Sequence, residues 1–144
     1  MCSPNQKIYF IFYIGNTKCG AIFDLGMILD VSNSIKNELP QAKSFLKKLV
    51  KSFNISENGT HAGVVTYSKT AQIRIKLDDH YKQSSFNQAV DEIKTTSWGT
   101  YIGVALETTW EQLFNPLNGA RKNVSRLIIL ITDGNYMFIF ITTI

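Results

Sequence analysis

Asp30, Ser32 and Ser34 stand at alternate positions, and an acid with two hydroxyls at that spacing can turn into one oxygen-lined pocket. Such a pocket suits a hard divalent cation, above all Mg²⁺, which takes few carboxylates and keeps several of its waters. The same residue types also make a turn followed by a helix cap, so the surrounding chain has to decide. What precedes them is Phe23 to Leu29, an apolar run interrupted only by Asp24 and Gly26. A run of that kind reads as a strand buried on both faces, with parallel strands as partners. It delivers the acid and hydroxyls to the carboxyl end of a central strand, the edge at which open α/β sheets bind ligands.

Two later segments have the same character. Trp98-Gly99-Thr100-Tyr101-Ile102-Gly103-Val104-Ala105-Leu106 opens a helix with a threonine, and Leu127-Ile128-Ile129-Leu130-Ile131-Thr132-Asp133-Gly134 is a second buried strand that ends in an acid. With the D-x-S-x-S stretch, and in this chain order, they resemble the von Willebrand factor type A domain, the integrin inserted-domain fold, from about Cys19 to Gly134. Asp30, Ser32, Ser34, Thr100 and Asp133 match the positions of that family's metal-ion-dependent adhesion site (MIDAS). The departures are Trp98, where the family commonly has glycine, and everything after Gly134.

The resemblance implies a site for Mg²⁺ or Mn²⁺. The Ser32 and Ser34 hydroxyls would bind the ion, Thr100 and Asp133 would bind it directly or through water, and Asp30 would act mostly from behind them. With two carboxylates in the set, the ion keeps a position open to an outside acid. The implied function is adhesion to an extracellular matrix or cell-surface protein, collagen-like or other, that presents a Glu or Asp. Asn33, Trp98, Tyr101 and Asn135 would form the ligand-binding rim. The implied organisation is an amino-terminal segment 1–18, a partial type A domain 19–134 and an apolar tail 135–144.

Composition bounds these readings. A chain of 144 residues is one domain with enough length to bury a core. Its 44% hydrophobic and 18% charged residues are those of a globular protein rather than a disordered one. The net charge of +4 comes largely from lysines on one helix, so it is not read as a nucleic-acid footprint. No stretch has the length of a membrane-spanning helix. Cys2 and Cys19 are the cysteines; they can be written as a pair, but spacing gives no geometry with which to test it. In extracellular members of the resembled family, a half-cystine at the place of Cys19 often pairs beyond the last helix. Lys7 followed by Ile8–Ile14 is either a very short signal sequence with Gly20-Ala21 as small residues for cleavage, an added strand, or miscalled coding sequence. Asn54, Asn58 and Asn123 begin N-x-[ST] sequons in loop-like segments, where glycosylation in an extracellular protein is tolerated.

Taken in order, Ile35, Leu39, Ala42, Leu46, Leu49 and Phe53 form one helical stripe, with the regular helix starting near Glu38–Pro40. Lys36, Lys43, Lys47 and Lys51 line another face, most simply a solvated one. His61–Ser68 reads as a second buried strand, and Ala71–Leu77 alternates as a half-exposed edge strand. Ser84-Ser85 are expected to cap a short helix that turns Phe86, Ala89, Val90 and Ile93 inward. A helix over Thr100–Phe114 buries Ile102, Ala105, Leu106, Thr109 and Leu113, and Gly103 is expected to permit close packing on the sheet. The order β-α-β-β-α-α-β is a doubly wound, mostly parallel open α/β sheet with one antiparallel edge strand, incomplete at its carboxyl end. The tail Asn135–Ile144 is readable as an edge strand, as an aggregation-prone segment or as translated non-coding sequence, and the last is expected here.

Two other functions stay in view. A divalent ion at this edge could serve a Mg²⁺-dependent hydrolase, although no nucleophile–base pair or glycine-rich phosphate loop is visible, and neither His61 nor His80 belongs to a motif. The fold could also be a structural fragment with an unused metal site.

Overall fold

The apolar runs pair as their two-sided burial requires. The computed structural model describes residues 22–132 and the strand at 136–142. Strands β1 (Phe23–Asp30), β2 (His61–Tyr67), β3 (Ala71–Ile75), β4 (Ser125–Thr132) and β5 (Tyr136–Thr142) form a five-stranded sheet in the order β3-β2-β1-β4-β5. Every residue of β1 and β2 is buried. β1 lies between β2 and β4, parallel to both, and β3 closes one edge antiparallel to β2.

β5 makes a second antiparallel edge, where a single one is expected from the sequence. It pairs with β4 from Arg126↔Thr142 to Thr132↔Tyr136. Of the structural readings open for the tail, the edge strand is the one observed. The physical reason is plain: a buried parallel strand with an unpaired side needs donors and acceptors there, and a β-prone apolar segment supplies them.

Helices cover both faces. α1 (Leu39–Phe53) and α2 (Gln83–Asp91) pack on one, where Leu46, Leu49, Phe86 and Val90 meet Leu25, Met27, Val64 and Ile129. α3 (Ile102–Glu107) covers the other and continues as a π-helical turn over Thr108–Leu113; Ala105, Leu113 and Phe114 meet Ile28, Val65 and Leu130 there. Pro40 sits in the first turn of α1, where its missing N–H costs nothing.

Local expectations fail at two helices. Ser84 and Ser85 lie inside α2, which has Lys82 at its N-cap and no side-chain cap, and Ser85 Oγ instead donates to the Lys82 carbonyl at 3.1 Å. The third helix starts at Ile102, not Thr100, and its ladder widens where the Thr109 hydroxyl donates back to the Ala105 carbonyl at 2.8 Å.

The close approach expected at Gly103 occurs elsewhere. Gly103 is exposed, and a Cβ there would meet nothing within 4 Å. Gly26 and Gly63, opposite each other in β1 and β2, are the glycines that admit the π turn. A Cβ on Gly26 would lie 2.9 Å from Thr109 Cγ2, and one on Gly63 would lie 2.8 Å from Leu113 Cδ1 and 3.0 Å from the Ile75 carbonyl oxygen. The two sites therefore respond oppositely to one added methyl. Gly63→Ala should lose about 1–3 kcal/mol through overpacking against backbone that cannot give way. Gly103→Ala should gain about 0.5–1 kcal/mol, because alanine gives up less backbone freedom in a helix. Urea unfolding midpoints of the two variants measure this, and movement of both in the same direction would refute the assignment.

The amino-terminal edge of the sheet is held by a charge. Asp24 is fully buried and accepts from the Arg121 backbone N–H at 2.7 Å and from Arg121 Nε at 2.8 Å. The rest of the guanidinium donates to the carbonyls of Gly59 at 2.8 Å and Phe23 at 3.0 Å. One side chain thus ties the starts of β1 and β2 to the segment that enters β4.

Candidate metal centre

The carboxyl edge of the sheet is built from three loops laid over the ends of β1 and β2. Asp30, the last residue of β1, is 4% exposed and Ser32 is fully buried. The Asp30 carboxylate accepts the Ser32 backbone N–H at 2.7 Å, a local turn that aspartate favours. The Ser32 and Ser34 hydroxyls stand 2.8 Å apart. A single 3₁₀ turn over Asn33–Ile35 follows, and Ser32 makes no side-chain cap bond to it. The turn half of the turn-and-cap alternative is present and the cap half is not. The two hydroxyls face each other instead of the helix.

Residues after α2 cross this loop. Val31 N–H donates to the Tyr67 carbonyl at 2.9 Å, Thr96 N–H to the Val31 carbonyl at 2.9 Å and Asn33 N–H to the Ser97 carbonyl at 3.1 Å. Ser68, buried at the end of β2, shares hydroxyl hydrogen bonds with Thr96 at 2.9 Å and Ser97 at 3.1 Å. Ser68, Thr96 and Ser97 were not singled out in the sequence. Their only signal there is a serine after a buried strand and a run of hydroxyl residues before Trp98.

Thr100 is carried on the same crossing segment. Gly99 before it has φ +110°, and a Cβ there would lie 3.3 Å from Lys69 Cα. Tyr101 after it donates its N–H to the Ser68 carbonyl at 3.0 Å. Thr100 is exposed and stands outside the helix it was expected to open. Trp98 and Tyr101 are 68% and 55% exposed, so this segment presents two large rings to solvent, and Asn33 is half-buried beside Ser32. Asp133 and Asn135 lie outside the described residues, as do Cys2 and Cys19; β4, which leads to Asp133, runs parallel to β1.

The hydroxyl pair fits a small hard ion. Neighbouring ligands of an octahedral ion at about 2.0–2.1 Å are about 2.9 Å apart, and the hydrogen-bonded Ser32 and Ser34 hydroxyls already stand at that separation. Among the described residues no group of three or more His, Cys, Asp or Glu side chains is placed to hold a metal.

The sequon asparagines are all exposed. Among the described residues, Asn54 and Asn123 are the non-glycine residues with positive φ, at 51° and 61°. Asparagine is favoured in that conformation, so backbone geometry already accounts for two of the three.

A family model described as von Willebrand factor type A domain matches residues 24–139, from β1 into β5. The chain is 32% identical over 115 residues to matrilin-3 of Mus musculus, covering 77% of this chain and 24% of that protein. It is 34% identical over 112 residues to the collagen alpha-6(VI) chain of Homo sapiens, covering 77% of this chain and 5% of that one. It thus spans about a quarter or less of the length of these relatives. Among solved structures, proximal thread matrix protein 1 from the mussel byssus superposes with a TM-score of 0.75 at 25% identity, covering 80% of this chain and 32% of that one. A structure of the same mussel protein with a zinc-occupied MIDAS motif matches with a TM-score of 0.66 at 29% identity, over 78% of this chain and 28% of that one. The central parallel strands, the helices on both faces and the family match together place this chain in the von Willebrand factor type A domain family.

Proposed function

We propose that this chain is a divalent-cation-dependent protein-binding module whose metal site takes Mg²⁺ or Mn²⁺ and whose partner is an extracellular matrix or cell-surface protein presenting a Glu or Asp. The observation that carries this reading is the pair of Ser32 and Ser34 hydroxyls, 2.8 Å apart at the carboxyl edge of the central strand. Ser32 and Ser34 would hold the ion, with Thr100 and Asp133 bound directly or through water. Asp30 fixes the backbone of Ser32 and so orients its hydroxyl. The bound ion supplies an electrophilic position at which an outside carboxylate can complete the coordination. Asn33, Trp98, Tyr101 and Asn135 would then set specificity, the two exposed rings giving apolar area around a charged centre. Similarity to matrilin-3, to a collagen VI chain and to a byssal matrix protein supports an adhesive role outside the cell over a hydrolytic one.

Calorimetric titration with MgCl₂ tests this. The native chain should give saturable heats, and Asp30→Ala should weaken Mg²⁺ binding by about 10–100-fold, the usual cost of removing a group that orients metal ligands. Ca²⁺ should bind less tightly than Mg²⁺. Equal Mg²⁺ heats from the native chain and from Asp30→Ala, with both folded by circular dichroism, would rule the site out.

A further inference from the structure

The lysine face of α1 is not simply solvated, as its spacing suggests. Lys36, Lys43 and Lys47 line one wall of a groove of ≈570 Å³ between α1 and the end of α2, and Lys94 lines the other. The floor includes Leu39, Pro40 and Ile93. Lys43 and Lys47 are half-buried, and Asp91 is the carboxylate among the lining residues. Lys47 pairs with the Asp91 carboxylate at 2.6 Å, while Lys43 donates to the Asp91 backbone carbonyl at 2.9 Å. Burial pushes the Lys43 ammonium below its usual range; Asp91 opposes that shift, and Lys47 and Lys94 add to it. Four lysines and one carboxylate thus line this groove.

A second groove of ≈390 Å³ adjoins the first, sharing Ile93 and Lys94 and reaching Arg74 on the edge strand β3. The positive surface is thus a track: it runs from Lys36, just after the Asn33–Ile35 turn, and Lys43 on α1, over Lys94, to Arg74, with Asp91 and Glu92 as the acids along it.

We infer that this track binds a sulfated polysaccharide, through the grooves shared at Lys94 and without use of the Ser32 and Ser34 hydroxyls. The shape favours a chain polymer over a single small anion, because the cations are strung across two connected open grooves instead of converging on one point. The residue types favour sulfate arrays over one tightly oriented group. Lysine ammoniums are flexible point charges that attract regularly spaced anions without a fixed fork.

The test is binding of heparin to the full chain in about 0.15 M salt, where exposed charges more than about 8 Å apart are largely screened. Lys36→Gln/Lys94→Gln changes two exposed side chains and should leave folding intact. It should weaken heparin binding by about five- to tenfold, as expected for two partly screened ion pairs. Lys76→Gln/Lys122→Gln removes the same charge from exposed sites outside both grooves and should change binding less than about twofold. Binding should persist in EDTA, which separates this surface from the metal centre. Equal weakening by the two double variants, loss of binding in EDTA, or poly-glutamate binding as tightly as heparin would each overturn the inference.

Discussion

Arg121→Ala is expected to destabilise the domain by about 3–5 kcal/mol, the cost of leaving a buried charge without its partner. Asp24 is fully buried, and its described hydrogen-bond donors are the Arg121 backbone N–H and guanidinium. Removing the guanidinium also strips donors from the Gly59 and Phe23 carbonyls. Total stability for a domain is about 5–15 kcal/mol, so the loss is a large part of it. For a chain of this length the melting temperature should fall by roughly 10–20 °C. Two comparisons isolate the cause. Asp24→Leu combined with Arg121→Met replaces both ends of the pair by apolar groups and should recover part of the loss, because no lone charge is left inside. Lys47→Ala breaks the partly exposed Lys47–Asp91 pair and should cost no more than about 1 kcal/mol. Thermal melts of these variants decide it: an Arg121→Ala shift no larger than that of Lys47→Ala would mean the clamp does not hold the edge. The clamp and the metal loop lie at opposite ends of β1, so Mg²⁺ affinity in the folded fraction should change little.

That clamp also marks where the sequence stops being informative. β1, β2 and β4 are legible because two-sided burial writes itself as a continuous apolar run, and the Asp30–Ser34 loop is legible because its residues are local to one another. The interruptions in β1 are not interpretable in that way. Asp24 meets a partner 97 positions away, and Gly26 makes room for Thr109 and Phe114, which no neighbouring residue announces. Gly103 misleads for the same reason: a glycine in a helical pattern shows that a methyl is missing, not whether anything fills its place. Ser84 and Ser85 look like caps by type, yet α2 begins at Gln83 and leaves them in its first turn. The hydroxyl bridge from Ser68 to Thr96 and Ser97 links residues 28 and 29 positions apart. It is visible only once the crossing segment is laid over the strand ends. Likewise the lysine stripe of α1 reads as a solvated face until α2 and Lys94 close a groove against it.

Removing the tail should have the largest effect of all. A chain ending at Asn135 lacks β5, and β4 then becomes the edge of the sheet. β4 is a poor edge: Leu127, Ile128, Ile129, Leu130 and Ile131 are all buried, and no charge or proline interrupts them. The lost ladder runs over seven residue pairs, Arg126↔Thr142 to Thr132↔Tyr136. At about 1 kcal/mol net per hydrogen bond, its removal costs several kcal/mol before any apolar area is counted. Each uncovered aliphatic side chain then adds about 25 cal/mol per Å² of newly wetted surface. The sum approaches the whole stability of a domain. The shortened chain should therefore lose its cooperative thermal transition. Because its new edge is long and apolar, it should also associate through β4 and elute as oligomers in size-exclusion chromatography. Mg²⁺ affinity should fall with it, since Asp133 follows the strand left unsupported. A truncated chain that stays monomeric and melts as sharply and as high as the full one would show that β5 contributes nothing to the sheet.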